Sequence, residues 1–314
     1  MIIFGILLGT WTAEGADWPQ FRGPDRDGTW GETGVLESFP KEGLKIKWRR
    51  PVGGGWASPV VAQGRVFVFD VNLIKPVAKE RLHCLDEKTG KARWVYACEE
   101  KYGDWAYVPE RGAGPTATPV VEGNQIYIVG ANGNTHCLNL KTGRVIWEKN
   151  IGREYQVAEL SCRPSPVIEG SLLIVFTGAR PAASVLALDK ATGKEVWKAL
   201  DDPVSNSSPI VITAGGRRQL IVWSYSSLAS LDPANGRVFW REPMVTSGND
   251  SAATPVFQGN RLLVSGLMLD VSADPPAPFF RWPESRVPSK RLLSNTSTPV
   301  LQADHVYSAR GYGE

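Results

Sequence analysis

The chain has 314 residues, of which 42% are hydrophobic and 21% charged, and its formal net charge is +3. This composition suffices for a large packed core and excludes a disordered chain or a small disulfide-stabilised domain. The charge is too small and too evenly spread to follow nucleic-acid phosphates, so we expect no nucleic-acid partner. The 32 glycines and 23 prolines are scattered, which predicts many tight turns between short strands.

The N-terminus has the pattern of an export signal. Met1 to Gly9 are apolar and uncharged, and small residues flank a signal-peptidase site after Gly15. We therefore predict a signal peptide at residues 1–15, a lead segment at 16–43, and an exported protein that is periplasmic or extracellular. The alternative, a membrane anchor, needs about 20 apolar residues, and no segment of the sequence offers them, so we expect no transmembrane segment.

A Ser/Thr-Pro-Val-like motif then recurs along the chain. The intervals between copies, 43 to 60 residues, are typical of propeller blades and of helical repeats. Each copy leads into a β-branched or aromatic run, such as residues 65–69 or 125–129, which favours strands over helices. The six motif prolines are Pro59, Pro119, Pro166, Pro209, Pro255 and Pro299.

Four repeats continue with a second signature, in which Asp or Asn, Gly and Trp follow one another at intervals of four residues. Asp or Asn accepts hydrogen bonds from turn amides, and Gly supplies the positive φ that closes a hairpin. Trp then lies on the returning strand and faces a neighbouring sheet, so we interpret these residues as structural. They are Asp86, Gly90, Trp94, Asn139, Gly143, Trp147, Asp189, Gly193, Trp197, Asp232, Gly236 and Trp240.

Together, Leu-Asp-x-x-Thr-Gly-x-x-x-Trp and Ser-Pro-Val-Val resemble the PQQ-like (quinoprotein-type) β-propeller repeat family over about residues 44–314. Residues 18–24, Trp-Pro-Gln-Phe-Arg-Gly-Pro, are similar to the mature start of secreted bacterial members. The resemblance implies an all-β propeller domain of four-stranded antiparallel blades over residues 44–314. The expected blades are residues 57–96, 117–149, 164–199, 207–242 and 253–290, with a partial sixth at 297–314.

Two repeats are incomplete. The fifth runs through a proline-rich segment without a Thr-Gly hairpin, so we predict an irregular outer half. The sixth has only 15 residues after Pro299, whereas residues 46–48 carry the Trp of an outer strand without inner strands before it. The two ends either seal a six-bladed ring or belong to a truncated ring of seven or eight blades, and unpaired strand edges favour truncation.

Function in propellers collects at the channel mouth, where the connections into the inner strands converge. We predict a site there for an envelope protein or a small-molecule ligand. The alternative is a solvated loop whose aromatic side chains pack on the blades. The candidate residues are Trp56, Trp105, Tyr107, Arg111, Arg163, Asn206, Asp250 and Asn295.

The cysteines and histidines carry no predicted metal site. His83-Cys84 and His136-Cys137 are adjacent pairs on strands, whose side chains point to opposite faces. Cys98 and Cys162 are placed in connections on the same side of the blades. In an exported protein, both a disulfide and free thiols are open for this pair.

Quinoprotein dehydrogenases, as a family, use a vicinal Cys-Cys pair and a Ca²⁺ ion held by acidic and amide side chains. No Cys-Cys pair occurs here, so we assign no catalytic residues and no required cofactor. Binding of PQQ, an anionic cofactor, by Arg111, Arg163 and Asp250 stays an open alternative. The leading hypothesis is an exported, non-catalytic binding or protein-interaction scaffold, similar to the PQQ-like propeller of the outer-membrane assembly machinery. The alternatives are a PQQ-dependent quinoprotein oxidoreductase acting on alcohols or sugars, and a carbohydrate-binding propeller.

Overall fold

The computed structural model describes residues 15–108, 112–244, 251–283 and 296–309, and their regular structure is almost entirely β. These described residues form five four-stranded sheets and one two-stranded sheet, all antiparallel and with strands in sequence order. This confirms the predicted all-β propeller with four-stranded antiparallel blades. A 3₁₀ helix (Asp104–Tyr107) and α1 (Ile151–Glu154) lie in connections, and within the described ranges no helix could span a membrane.

The bounds of the strands follow the repeat. Blade 1 contains β1 (Val60–Ala62), β2 (Arg65–Ile74), β3 (Val77–Asp86) and β4 (Ala92–Glu100). Blade 2 contains β5 (Val120–Glu122), β6 (Gln125–Val129), β7 (Asn134–Asn139) and β8 (Val145–Asn150). Blade 3 contains β9 (Val167–Glu169), β10 (Leu172–Ala179), β11 (Ala183–Asp189) and β12 (Glu195–Ala199).

The remaining blades continue this order. Blade 4 contains β13 (Ile210–Ala214), β14 (Arg217–Trp223), β15 (Ser227–Leu231) and β16 (Val238–Pro243). Blade 5 contains β17 (Val256–Gln258), β18 (Arg261–Val264), β19 (Leu267–Asp270) and β20 (Phe279–Trp282). Blade 6 contains β21 (Val300–Gln302) and β22 (His305–Tyr307).

The core lies between the blades. Successive side chains of a strand point to opposite faces, so one middle strand serves two cores. In β6, Ile126 and Ile128 pack against blade 1, whereas Tyr127 and Val129 pack against blade 3. The apolar run at residues 125–129 is therefore a strand whose two faces are both buried.

In blades 1 to 4, the outer hairpin closes through its Asp or Asn. In blade 3, Gly193 N donates to Asp189 O (2.8 Å), and Thr192 Oγ1 donates to Asp189 Oδ1 (2.7 Å). Gly193 has φ +72°, a conformation that favours glycine. In blade 4, Asn235 takes the place of the threonine and donates to Asp232 (3.0 Å).

The outer-strand tryptophan of one blade docks on the hairpin glycine of the next. Trp147 Nε1 donates to Lys190 O (2.9 Å), and a Cβ on Gly193 would lie 2.6 Å from Trp147 Cε3. Gly193 therefore serves the turn and also leaves room for the indole. The same docking joins Trp48 to Gly90, Trp94 to Gly143 and Trp197 to Gly236.

The prediction of an irregular outer half in blade 5 was wrong for its last strand. β20 pairs with β19, and Trp282 lies opposite Met268, beside a shift in the strand register. Trp147 has the corresponding position in blade 2, where it lies opposite Cys137 beside a similar shift. Arg281 Nε donates to Asp270 Oδ2 (3.0 Å), as Arg93 does to Asp86 in blade 1 (2.6 Å). The ion pair and the aromatic residues of β20 thus form an outer strand without the Thr-Gly turn.

Two smaller expectations also need correction. Cys98 lies within β4 and not in a connection, because β2 and β3 are long and β4 pairs with β3 as far as Glu100. Trp48 lies in no strand, although its indole occupies the place of an outer-strand tryptophan against Gly90. All four cysteines are free, and Cys162 is buried.

Candidate functional site at the channel mouth

A cavity of about 600 Å³ opens where the connections into the inner strands converge. We call it the mouth cavity. Its walls combine aromatic rings, small residues and hydroxyl groups. The lining residues are Phe21, Trp56, Trp105, Gly112, Ala113, Gly114, Thr116, Thr118, Leu160, Arg163, Ser165, Asn206, Ser208, Ala252, Thr296 and Thr298.

Four of the hydroxyl groups in the described lining, those of Thr118, Ser165, Ser208 and Thr298, come from the residue that precedes a motif proline. In blades 1 to 3 and in blade 5, the backbone N–H of the residue before the motif proline donates to the hydroxyl of its counterpart in the next blade. The bonds run from Ser58 to Thr118 (3.1 Å), Thr118 to Ser165 (3.0 Å), Ser165 to Ser208 (2.9 Å) and Thr254 to Thr298 (3.0 Å). The motif thus links neighbouring blades around the channel.

These bonds leave hydroxyl protons for a ligand. Thr118, Ser165, Ser208 and Thr298 each accept a backbone N–H, and none has an acceptor for its own proton among the described residues. All four line the mouth cavity. A hydroxyl both donates and accepts, so a hydroxyl that already accepts here offers mainly a donor.

Arg163 adds a positive charge to the same wall. Its Nε donates to Leu160 O (3.1 Å) and its Nη1 donates to Asn206 Oδ1 (3.1 Å). Both acceptors are neutral, and no Asp or Glu occurs among the described residues that line the mouth cavity. The guanidinium charge is therefore not neutralised within this lining.

Two tryptophans form the aromatic part of the wall. Trp56 is 69% exposed and donates from Nε1 to Gly112 O (3.3 Å). Trp105 is 39% exposed and donates from Nε1 to Glu159 Oε2 (3.2 Å). These bonds engage the indole N–H groups, while both side chains remain partly exposed in the wall of the cavity.

A buried carboxyl supports the segment that carries Trp105. Glu80 is fully buried, and its Oε1 accepts from Tyr102 Oη (2.8 Å) and from Ala131 N (2.9 Å). Burial raises the pKa of Glu80 to about 7, and these two hydrogen bonds only partly offset that effect. Glu80 thus connects Tyr102, which lies just before the 3₁₀ helix, with blades 1 and 2.

Four predicted site residues come together, because Trp56, Trp105, Arg163 and Asn206 all line the mouth cavity. Tyr107 is absent from this lining, and its hydroxyl donates instead to Pro76 O (3.0 Å) in the β2–β3 turn. Arg111, Asp250 and Asn295 lie outside the described residues.

Sequence reasoning missed Phe21 and the hydroxyls that precede the motif prolines. A signal for these hydroxyls is present, since all six motif copies have Ser or Thr before the proline. The motif by itself, however, predicts only an inner strand. Phe21 has no comparable signal, because the motif that contains it at residues 18–24 indicates a likeness to family members and not a place in the channel.

The histidines lie elsewhere, in the blades. His83 Nε2 lies 3.0 Å from Asp70 Oδ2, and His136 Nε2 lies 3.8 Å from Glu148 Oε2. Burial of Asp70 favours a higher pKa, but hydrogen bonds from His83, Arg81 and Gly53 outweigh it and lower the pKa to about 2. Across the part of the chain that the structure describes, no group of three or more His, Cys, Asp or Glu is placed to hold a metal ion.

Most of the chain matches one protein family. The sequence profile described as outer membrane protein assembly factor BamB, PQQ_2, matches residues 78–314. The chain belongs to this family. This confirms the PQQ-like resemblance that the repeats carry.

Individual relatives are more distant. The assembly factor BamB of Shewanella oneidensis is 24% identical over 69% of this chain and 55% of its own length. The polyvinylalcohol dehydrogenase of a Sphingopyxis species is 27% identical over 44% of this chain and 23% of its own. The chain therefore spans about half the length of the first relative and a smaller share of the second.

A solved structure shows the same fold. The quinohemoprotein alcohol dehydrogenase of Comamonas testosteroni superposes with a TM-score of 0.57 at 16% identity. The match covers 84% of this chain and 47% of that protein. At this identity the likeness concerns the fold and not the activity.

Proposed function

We propose that this chain is an exported, non-catalytic binding propeller of the bacterial envelope, and that its mouth cavity binds an acidic segment of a partner protein. Family membership supports the scaffold role, because several relatives are named as outer membrane assembly factors. The apolar N-terminus with its small residues before Ala16 supports export.

The observation that carries the choice of ligand is the excess of donors in the cavity wall. Arg163 and four hydroxyls offer protons, and the described lining contains no carboxylate to compete for them. Carboxylates accept several hydrogen bonds and pair well with a guanidinium. An acidic side chain is therefore the partner group that this wall complements best.

The aromatic rings supply the remaining contact. Trp56 and Trp105 present exposed ring faces beside Arg163, and aromatic residues with arginine are enriched at interface hot spots. The rings pack against the apolar parts of a bound segment, while the donors fix its carboxylates. A partner chain that enters the cavity buries both kinds of surface at once.

Fluorescence polarisation with labelled hexaglutamate and hexaglutamine peptides tests the ligand class. We expect the acidic peptide to bind more tightly, with an affinity that falls as salt is raised. Arg163→Met is expected to weaken its binding by roughly tenfold or more, the usual effect of losing a charge-assisted hydrogen bond.

Arg144→Met is the matched control, because Arg144 is exposed on the outer hairpin of blade 2. This variant should bind hexaglutamate as the unmodified protein does. Equal binding of the two peptides, or equal loss in both arginine variants, would refute an acidic ligand in the mouth cavity.

Related experiments test two alternative ligands, PQQ and carbohydrate. PQQ is an aromatic anion that the donors suit, yet the described lining has no carboxylate for the Ca²⁺ that quinoprotein dehydrogenases use, so the complete cofactor does not fit these residues. Thermal stabilisation by PQQ with Ca²⁺, together with dye-linked oxidation of an alcohol or sugar, would favour the enzyme. Glycan-array binding that disappears in Trp56→Ala would favour a carbohydrate ligand.

A further inference from the structure

The lead segment runs through the channel. Residues 17–28, which we call the arm, begin beside the far end of β1, where the Asp17 carboxylate accepts from Gln63 N (3.1 Å). Trp18 then pairs with Val61 through two backbone hydrogen bonds of 2.8 and 2.9 Å. Phe21 reaches the floor of the mouth cavity. The arm therefore enters from the end of the channel opposite the mouth.

The arm contacts the inner strands of four blades. It pairs with Val61 of β1, and Pro19 O accepts from Val121 N of β5 (2.8 Å). Arg26 donates to the carbonyl oxygens of Pro166 (2.9 Å) and Pro209 (3.1 Å), which directly precede β9 and β13. Inner strands are sheet edges with unpaired backbone groups, and the arm supplies partners for some of them.

Arg26 is held in an unusual site. Its side chain is buried, and its acceptors are carbonyl oxygens and the Gln20 side chain, with no carboxylate among its described partners. Burial lowers the pKa of Arg26 to about 10, so the group remains charged at neutral pH. A buried charge is costly unless it is well hydrogen-bonded, so these carbonyl groups form a cradle for one cation.

The fork of Arg26 also fits the spacing of the cradle. Nη1 contacts Pro166 of blade 3, while Nη2 contacts Pro209 of blade 4. A guanidinium presents donors in a fixed plane, whereas a lysine ammonium is a single point. The cradle therefore distinguishes arginine from lysine.

The arm has a compact loop of its own around this residue. Gly23 N donates to Gln20 O (3.1 Å), Arg26 N donates to Gly23 O (3.1 Å), and Gly28 N donates to Arg22 O (2.9 Å). The Trp18 ring packs on Gly23, where a Cβ would lie 2.8 Å from the indole. The loop is thus shaped largely by its own contacts.

We propose that the inner wall of the channel is a peptide-binding site, specific for an arginine-containing segment and occupied by residues 17–28 of this chain. Arg26 is the residue that anchors the arm, and Phe21 is placed by it as the floor of the mouth cavity. The arm lies in the end of the channel opposite the mouth. This assignment rests on the channel contacts and does not depend on the ligand proposed for the mouth cavity.

Cleavage of the link between arm and propeller tests the site in the full-length protein. Residues 33–47 are exposed and contain no helix or strand, so a protease recognition sequence fits between Gly43 and Leu44. After folding and cleavage, we expect the arm fragment to co-elute with the propeller in gel filtration. Arg26→Met should release the fragment, and Arg26→Lys should retain it less well than arginine.

Arg22→Met is the matched control, because Arg22 donates to Asp27 O within the arm and has no described contact with a blade. It should leave the fragment bound. Immediate loss of the unmodified fragment from a propeller that keeps its circular dichroism spectrum would overturn the proposal. Equal retention in Arg26→Met would overturn it as well.

A competition experiment keeps the test independent of how the variants fold. A labelled synthetic peptide of residues 16–30 should exchange into the cleaved, unmodified protein and be displaced by the unlabelled peptide. The same peptide with Arg26→Met should compete at least about tenfold less well. Equal competition by both peptides would show that the carbonyl cradle does not recognise arginine.

Discussion

Tryptophans at the outer rim and tryptophans at the channel mouth have opposite environments. Trp147 is 8% exposed, and its indole N–H reaches a carbonyl oxygen of the neighbouring blade. Trp56 is 69% exposed and belongs to the wall of the mouth cavity. The rim residue joins two blades, whereas the mouth residue leaves a ring face open, so one residue type serves stability in one region and binding in the other.

The hydrogen bonds of the two regions differ in the same way. At the rim, each Asp or Asn of blades 1 to 4 accepts hydrogen bonds from its own turn, and the indole N–H groups of blades 1 to 3 donate to the next blade. At the mouth, hydroxyls accept from backbone groups but keep their protons for another molecule. The mouth therefore offers hydroxyl donors to a ligand, whereas most donors at the rim are already paired within the protein.

The largest expected effect is at the rim. Trp147→Ala should lower the free energy of unfolding by about 3–5 kcal/mol, the usual cost of emptying a large aromatic site. Trp282→Ala is the comparison, since Trp282 occupies the corresponding register but is 38% exposed, and should cost less than about half as much. Urea unfolding of both variants measures the difference, and equal losses would contradict the rim interpretation.

Gly193→Ala should be the next most damaging change. The positive φ alone costs about 1–2 kcal/mol in a residue with a Cβ. The new methyl group would also collide with Trp147, which adds about 1–3 kcal/mol.

Gly170→Ala isolates the first effect, because Gly170 has φ +57° and open space around it. Thermal unfolding should therefore give Gly193→Ala a clearly lower melting temperature than Gly170→Ala. Coincident melting curves would mean that the glycine serves the turn alone.

A smaller effect concerns the indole N–H. Trp147→Phe loses a hydrogen bond to Lys190 O, whereas buried Trp240 Nε1 has no partner among the described residues because blade 5 lacks the Thr-Gly turn. We expect Trp147→Phe to cost about 1 kcal/mol more than Trp240→Phe in chemical unfolding. The reverse order would show that the interblade hydrogen bond contributes little.

Trp56→Ala should produce the smallest change in stability. An exposed side chain away from the core is expected to alter the free energy of unfolding by less than about 0.5 kcal/mol. Its binding of hexaglutamate should nevertheless weaken, because one aromatic wall of the mouth cavity is removed. A large loss of stability without a loss of binding would place Trp56 among the structural tryptophans.

The repeat made most of the fold predictable from sequence. Asp189, Gly193 and Trp197 recur at fixed spacing, and local turn chemistry dictates what they form. Blade 5 was harder, since β20 depends on the contact between Arg281 and Asp270 across an irregular connection. Long-range pairing of this kind has no local sequence signature.

The candidate site was predictable only in part. Trp56 and Arg163 follow from their place before inner strands, because propeller topology brings those connections together. The role of Arg26 depends on carbonyl oxygens more than a hundred residues away, in blades 3 and 4. No periodicity links those positions, and the sequence marks the arm only through the likeness of residues 18–24 to the mature start of secreted family members.

The central claim, that the mouth and not the rim engages the partner, is tested most directly by site-specific photo-crosslinking in an envelope extract. A photoreactive residue at position 56 is compared with one at position 196, an exposed valine on the outer strand of blade 3. We predict a discrete protein adduct from position 56 alone, suppressed by hexaglutamate and unaffected by hexaglutamine. The same adduct from position 196, or an adduct that hexaglutamate does not suppress, would contradict the claim.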